Sequence, residues 1–407
     1  MKLSKLYFSL FAVAALTACS ADDDGSATKS PVVVGNSDVM VKLSAGQGTR
    51  TRASLESDDD GLFEAQGLGI FMLATQKQNT NPDELNISWE YGYNEEEPNL
   101  PYTNPWAVWI DNAEADAVKD GGNTRTDILW KDGVTRWYPI GNWYSYRFYG
   151  YYPHVDDSKM GVTTTQRIIN YTGLDGTKDI IWGRSAGADM NDEHEKYAYS
   201  ARYFRQAGYK DRNPEIAFVH KMMRLQFCIQ GIADENAEPG HEFESANTMK
   251  IDTIIVEKVP TVAQLVVADL NETNDGKISY DWENDLADVG VLGENDGVFV
   301  KEQVNNDELI KVGQPVLLPV PDAEATAAGF TKYRVKIRLR NTDGVVFNHE
   351  KPLDLNAANY EAGISYRVAI RIAGPKQVTV SARLNKWVDD NDTEDIEQDN
   401  VHYLTLD

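Results

Sequence analysis

Apolar and polar positions begin to alternate about forty residues into the chain. Val39, Val41 and Leu43 are interleaved with Met40 and Lys42, the two-residue period of a half-buried β-strand, until Gly46-Gln47-Gly48-Thr49 breaks it. A second strand is expected over 68–73. Downstream, runs rich in β-branched and aromatic residues recur between turn signals at 143–152, 180–182, 216–229, 251–259, 262–268, 316–320, 333–340, 366–372 and 378–382. Sustained helical periodicity is hard to find, and short helices are expected only over 193–203 or 354–360. The pattern predicts an all-β protein. Irregular strand spacing, with loops rich in Asn, Asp and Gly, predicts two tandem antiparallel β-sandwich domains. The divide is expected at 209–214, where Gly208, Lys210, Asp211, Arg212 and Asn213 cluster, giving domains over 53–210 and 211–388.

The two ends of the chain depart from this pattern. Lys2 and Lys5, the apolar run 6–15 and then Leu16-Thr17-Ala18-Cys19 read as a lipoprotein leader over 1–18, whose removal exposes Cys19 for lipidation. The stretch is too short for a bilayer span, which needs about 20 apolar residues. Ser20, Ala21, Asp22, Asp23 and Asp24 resemble the acidic tag that sends lipoproteins to the outer surface of some Gram-negative bacteria, so the expected location is the outer membrane, facing outward. Residues 21–31 are small, acidic or polar and predict a tether, so that 19–52 holds the tether and the first strand. Between the first two strands lie Arg50-Thr51-Arg52-Ala53 and then Glu56, Asp58, Asp59 and Asp60, a polar stretch expected to be open to a protease. At the other end, 389–407 is an acidic linker followed by a strand-like strip, Val401, His402, Tyr403, Leu404, Thr405 and Leu406. A β-prone strip held off on a charged linker is suited to pairing with another molecule; the plainer alternative is a final edge strand or a frayed end.

Composition narrows the chemistry. A formal net charge of -25 over 407 residues repels phosphate backbones and anionic headgroups, so nucleic acid is excluded as a partner and the membrane is reached through the lipid alone. Of two cysteines, Cys19 carries the lipid and Cys228, inside an apolar run, is expected in the core. Gly183-Arg184-Ser185-Ala186-Gly187 matches the nucleophile-elbow pattern but lacks the alternating β-α context which that chemistry needs. Asn271 to Gly276 hints at a calcium loop, but the twelfth position would be Trp282, which cannot ligate, so a turn between strands is expected. The six histidines show no metalloprotease spacing, and His220 is expected to be a packed core residue. No metal, no cofactor and no catalytic residue is predicted, and the chain is not expected to be an enzyme. The aromatic cluster over 143–152 has rings on both alternating faces and is read as core, whereas Trp106 and Trp109 are the better candidates for exposed ligand contacts.

Taken in order, these features resemble the fimbrillin family, the lipoprotein pilins of type V pili. The matching pieces are the lipobox at Cys19, Thr51-Arg52-Ala53, Phe148 to Pro153, Asp179-Ile180-Ile181-Trp182, Phe218 to Met222 running into Leu225-Gln226-Phe227, Tyr360 to Tyr366 and Trp387. Gly150, Trp182 and the short tail beyond Trp387 depart from the family's usual pattern and leave the subunit class open between shaft, tip and anchor. The resemblance implies transthyretin-like sandwiches, an exported lipid-anchored precursor, cleavage after Arg52 or Arg50 by an arginine-specific protease, and polymerisation by donor-strand exchange. On this reading the strand holding Val39, Val41 and Leu43 leaves, and residues 401–406 of another subunit take its place. The partners are other pilin subunits, the protease, and a host or bacterial surface ligand. The rival reading is a surface lipoprotein that binds glycans through exposed aromatics.

Overall fold

The computed structural model describes residues 36–47, 64–77, 89, 107–122, 125–140, 144–185, 199–206, 208–209, 212–293, 297–301, 309–353 and 361–385. The alternating segment at its start forms two strands, Asn36–Met40 (β1) and Leu43–Gln47 (β2), joined by a kink at Val41 and Lys42. Ala65–Lys77 (β3), Val108–Lys119 (β4), Thr126–Trp130 (β5), Trp137–Pro139 (β6) and Tyr144–Tyr152 (β7) follow. The first half ends with Met160–Val162 (β8), Gln166–Thr172 (β9), Ile181–Ser185 (β10), the single helical turn Ala201–Phe204 (α1) and Glu215–His220 (β11).

Seven of these strands close into a barrel in the order β10-β11-β2-β5-β4-β3-β7, with β7 returning to β10, while β1 pairs separately with β6. The aromatic strand β7 is buried on both faces, as its sequence predicts. Phe148 packs edge-on against Tyr138 at 6.3 Å, and Tyr138 lies 5.2 Å from Phe204 of α1. Where strands must approach closely, glycine is used. Gly150 stands opposite Gly183, and a methyl group at either position would lie within 3 Å of the Phe218 ring.

The second half begins at once. Met222–Gly231 (β12) leads through Glu244–Asn247 (α2) to Met249–Pro260 (β13), Val262–Asp269 (β14), Ile278–Tyr280 (β15) and Leu286–Leu292 (β16). Val298–Phe299 (β17), Ile310–Lys311 (β18), Val316–Pro319 (β19), Ala323–Ala327 (α3), Arg334–Asn341 (β20), Val346–Pro352 (β21), Ser365–Gly374 (β22) and Gln377–Asn385 (β23) complete it. One sheet runs β18-β12-β22-β23 with β19 also on β12, and another runs β16-β13-β20-β21 with β17 on β13. Covered on both faces, β12 is almost entirely buried, Gln226 and Gln230 included.

The fold is all-β, but it does not divide at 209–214. β11 lies beyond that point and still belongs to the barrel, so the run 216–229 is two strands that part at Lys221. The halves also share a sheet, β15-β14-β9-β8, in which β9 pairs with β14 from Gln166↔Asp269 to Thr172↔Val262. Trp182 and Arg184 of β10 strengthen this seam. The Trp182 indole donates to the Val267 carbonyl at 2.8 Å, and Arg184 reaches Asp275 at 2.7 Å. Expected helix 193–203 reduces to α1 within the described residues; 354–360 lies outside them.

Candidate functional site

Strand β2 is an interior strand of the barrel, contributed by the very start of the described chain. It runs antiparallel to β5, with Leu43 opposite Ile128 and Ala45 opposite Thr126. On its other side it runs parallel to β11, with Ser44 opposite Glu215 and Gln47 opposite Phe218. Both edges of β2 are therefore spent on backbone pairing, and the Ser44 N–H also donates to the Pro214 carbonyl at 3.0 Å. Val41, Leu43 and Ala45 are buried. Each large apolar side chain buried in this way contributes about 1.5–3 kcal/mol.

The sequence predicts one strand through Val39, Val41 and Leu43, broken at Gly46. The structure instead divides these residues among β1, the kink and β2, and β2 carries through Gly46 to Gln47. The division has a local cause. The Val41 N–H donates to the Arg136 carbonyl at 2.9 Å, so the chain upstream of Leu43 leaves β5 and joins the 131–137 segment. That segment is braced by Arg136, whose guanidinium forks onto Asp132 at 3.0 and 2.9 Å and lies 4.3 Å over the Trp130 ring. β1 is held further by Asp38, which accepts from Arg205 at 2.5 Å; that hydrogen bond holds the exposed Asp38 carboxyl below the ordinary carboxylate range.

The slot offers backbone groups and apolar walls rather than reactive side chains. Lifting out β2 would leave the facing N–H and C=O groups of β5 and β11 unpaired, with Ile128, Ile216 and Phe218 uncovered beside them. Such an opening presents the unpaired backbone groups of a sheet edge. Among the described residues no group of three or more His, Cys, Asp or Glu side chains is gathered where a metal ion could be held.

Of the other residues singled out by sequence, Cys19, Arg50, Arg52, Trp106 and Val401, His402, Tyr403, Leu404, Thr405 and Leu406 lie outside the described residues. Cys228 is buried. Trp109 is not an exposed platform: it is half-buried, and its indole donates to the Trp137 carbonyl at 2.7 Å. Ser185, within the elbow-like motif, is a fully buried strand residue whose hydroxyl accepts from the Phe148 N–H at 3.0 Å. The 271–276 segment is the turn between β14 and β15, closed on itself by Asp269, which accepts from Asn274 at 2.6 Å and from the Asn271 N–H at 2.9 Å.

Two buried pairings gave no sequence signal. His220 is buried as expected but is paired through Nδ1 with Asp179, also buried, where the chain leaves the barrel. Arg167 on β9 is fully buried, donating to Asp111 at 3.0 Å and to the Trp89 carbonyl at 3.3 Å. Neither pairing is periodic in sequence: the partners of Arg167 are 56 and 78 residues away.

No family model matches the sequence, and no curated protein matches it. Among solved structures the chain is similar to a candidate cell adhesion protein from Bacteroides uniformis, at 14% identity and a TM-score of 0.45, with 87% of this chain and 100% of that one covered. A second candidate cell adhesion protein, from Bacteroides ovatus, is 11% identical with a TM-score of 0.43, covering 88% of this chain and 100% of that one. The fimbrial anchor protein Mfa2 from Porphyromonas gingivalis is 8% identical with a TM-score of 0.33, covering 86% and 97% respectively.

Proposed function

We propose that this chain is a structural subunit of a surface pilus. It is exported as a lipoprotein acylated at Cys19, released by cleavage after Arg50 or Arg52, and polymerised by donor-strand exchange to support adhesion. The observation that carries the reading is the position of β2. It is an interior barrel strand, buried at Leu43 and Ala45, whose covalent link to β3 runs through the segment holding both arginines. Cutting there makes β1 and β2 a separate peptide bound only by pairing and burial. The barrel left behind accepts residues 401–406 of a neighbour, giving main-chain pairing along the slot. Head-to-tail repetition of one asymmetric contact does not close, and a filament results.

On this reading the chain has no catalytic residue, and its partners are further subunits, an arginine-specific protease and, before cleavage, the outer membrane through the lipid. Carrying both a cleavable segment and a donor strip favours a shaft subunit over an anchor; a tip subunit would accept a strand without giving one. The rival glycan-binding reading has lost Trp109 as a platform. The full chain carrying Cys19→Ser, treated with an arginine-specific protease, is expected to form detergent-resistant ladders, and the Arg50→Ala, Arg52→Ala double variant is expected to form none. A cut chain that stays monomeric and binds polysaccharide would favour the rival.

A further inference from the structure

β5 outruns its partner. Its pairing with β2 stops at Leu43↔Ile128, yet β5 continues through Leu129 and Trp130, because the chain upstream of Leu43 has turned aside to Arg136. Beside this overhang lies a depression of about 390 Å³, bounded by the kink, by the end of β5 and by residues 133–136. Its floor is continuous with the slot, since Ile128, which faces Leu43 there, lines both. Its rim is apolar and open: Met40, Leu129 and Val134 are 40%, 53% and 57% exposed. Its charge opposes that of the chain. Of the three cations that line it, Arg125 is engaged by Asp127 and Arg136 by Asp132, while Lys42 stands exposed, on a protein whose net charge is -25.

We infer that this depression is the toehold at which the C-terminal segment of a second copy docks before it displaces β2. The inference rests on the strand-exchange reading and adds where exchange begins. The occupant is chosen by complementarity. Between Val388 and Asn400 the chain has seven carboxylates and no cation, and this run leads directly into the apolar strip Val401 to Leu406. An acidic linker followed by an apolar strand matches an exposed lysine beside an apolar rim and floor. Exchange can then proceed stepwise. The incoming segment first lodges against Leu129 and Val134, where it need break no β2 contact, and then replaces Leu43, Ser44 and Ala45 one pair at a time. The barrel is never left open along its length.

The test uses the full chain with a sequence-specific protease site set into the 48–63 segment, cut in place so that β1 and β2 remain bound by pairing alone. A synthetic peptide of residues 386–407 is added, and release of the β1–β2 peptide is followed by mass spectrometry. The expected result is that Leu129→Asp, Val134→Asp slows release about tenfold, with the same end point as the parent. Raised salt is expected to slow the parent as well. Both substituted side chains are exposed, and an unchanged melting temperature of the uncut variant confirms its fold. Equal release rates in parent and variant would overturn the toehold while leaving strand exchange standing. Failure of the peptide to release β1–β2 from the parent, even in large excess, would overturn strand exchange and the toehold with it.

Discussion

Leu43 of β2 stands opposite Ile128 of β5, and both side chains are buried, at 2% and 5% exposure. The most N-terminal barrel strand is thus sealed into the interior of the sheet, where its loss is felt on two sides. Leu43→Ala is expected to destabilise the uncut chain by about 2–5 kcal/mol in denaturant unfolding. Once the chain is cut and polymerised, residue 43 is gone, so filaments grown from this variant are expected to melt like the parent's. An equal loss in both forms would mean that β2 stays in place.

Gly150 and Gly183 yield a paired prediction. A Cβ at Gly150 would lie 2.7 Å from Phe218 ring atoms, whereas one at Gly183 would lie 2.6 Å from the Ala217 carbonyl as well as 2.9 Å from that ring. Both alanine variants are expected to lose about 1–3 kcal/mol. Adding Phe218→Leu should improve Gly150→Ala relative to Phe218→Leu alone. It should not do so for Gly183→Ala, where backbone blocks the way, and double-mutant cycles read the difference.

Lys221, at the joint between β11 and β12, carries a pH dependence. Burial pushes its amine down to about 8 from the ordinary 10.5, although the Trp182 ring 4.8 Å below it favours the charged form. Between those values the unfolded chain binds a proton that the folded chain has lost, so stability rises with pH; below about 8 both forms are charged and the full cost of burial remains. Lys221→Met is expected to stabilise the protein at pH 7 by about 1–3 kcal/mol and to flatten the rise between pH 8 and 9.5. A variant less stable at pH 7 with an unchanged pH slope would contradict this.

The β9–β14 pairing and the Trp182 and Arg184 contacts predict that the two halves unfold together. Calorimetry of the uncut chain is expected to show one transition. Trp182→Ala is expected to cost about 2–4 kcal/mol and lower the melting temperature of that one transition. Two resolved transitions in the parent would mean that the halves are independent.

How much of this was legible in the sequence depended on whether side-chain pattern or chain-distant pairing set the structure. The strands β7, β13, β14, β20, β22 and β23 were readable because burial on one or both faces imposes apolar alternation or apolar runs. β4 was not: its inward positions include the small residues Ala115 and Ala117, Asp, Asn and Glu interrupt it, and Asn112 takes a left-handed backbone. The kink at Val41 was hidden because its cause is the Arg136 carbonyl, 95 residues later. The shared sheet was hidden for the same reason: β9 is separated in sequence from β14, and nothing local to either names the other. For the candidate site, the alternation at Val39, Val41 and Leu43 marked β structure, while its division into β1 and β2 and the position of β2 between β5 and β11 needed the fold.

The central claim is that β2 fills a slot which a neighbour fills after cleavage. Hydrogen exchange at the amides of β5 and β11 measures this most directly. They are expected to be protected in the uncut chain, to exchange rapidly once β1 and β2 have been removed, and to regain protection as filaments form. Amides that stay protected in a cut, ribbon-free chain that remains a single particle would contradict the account.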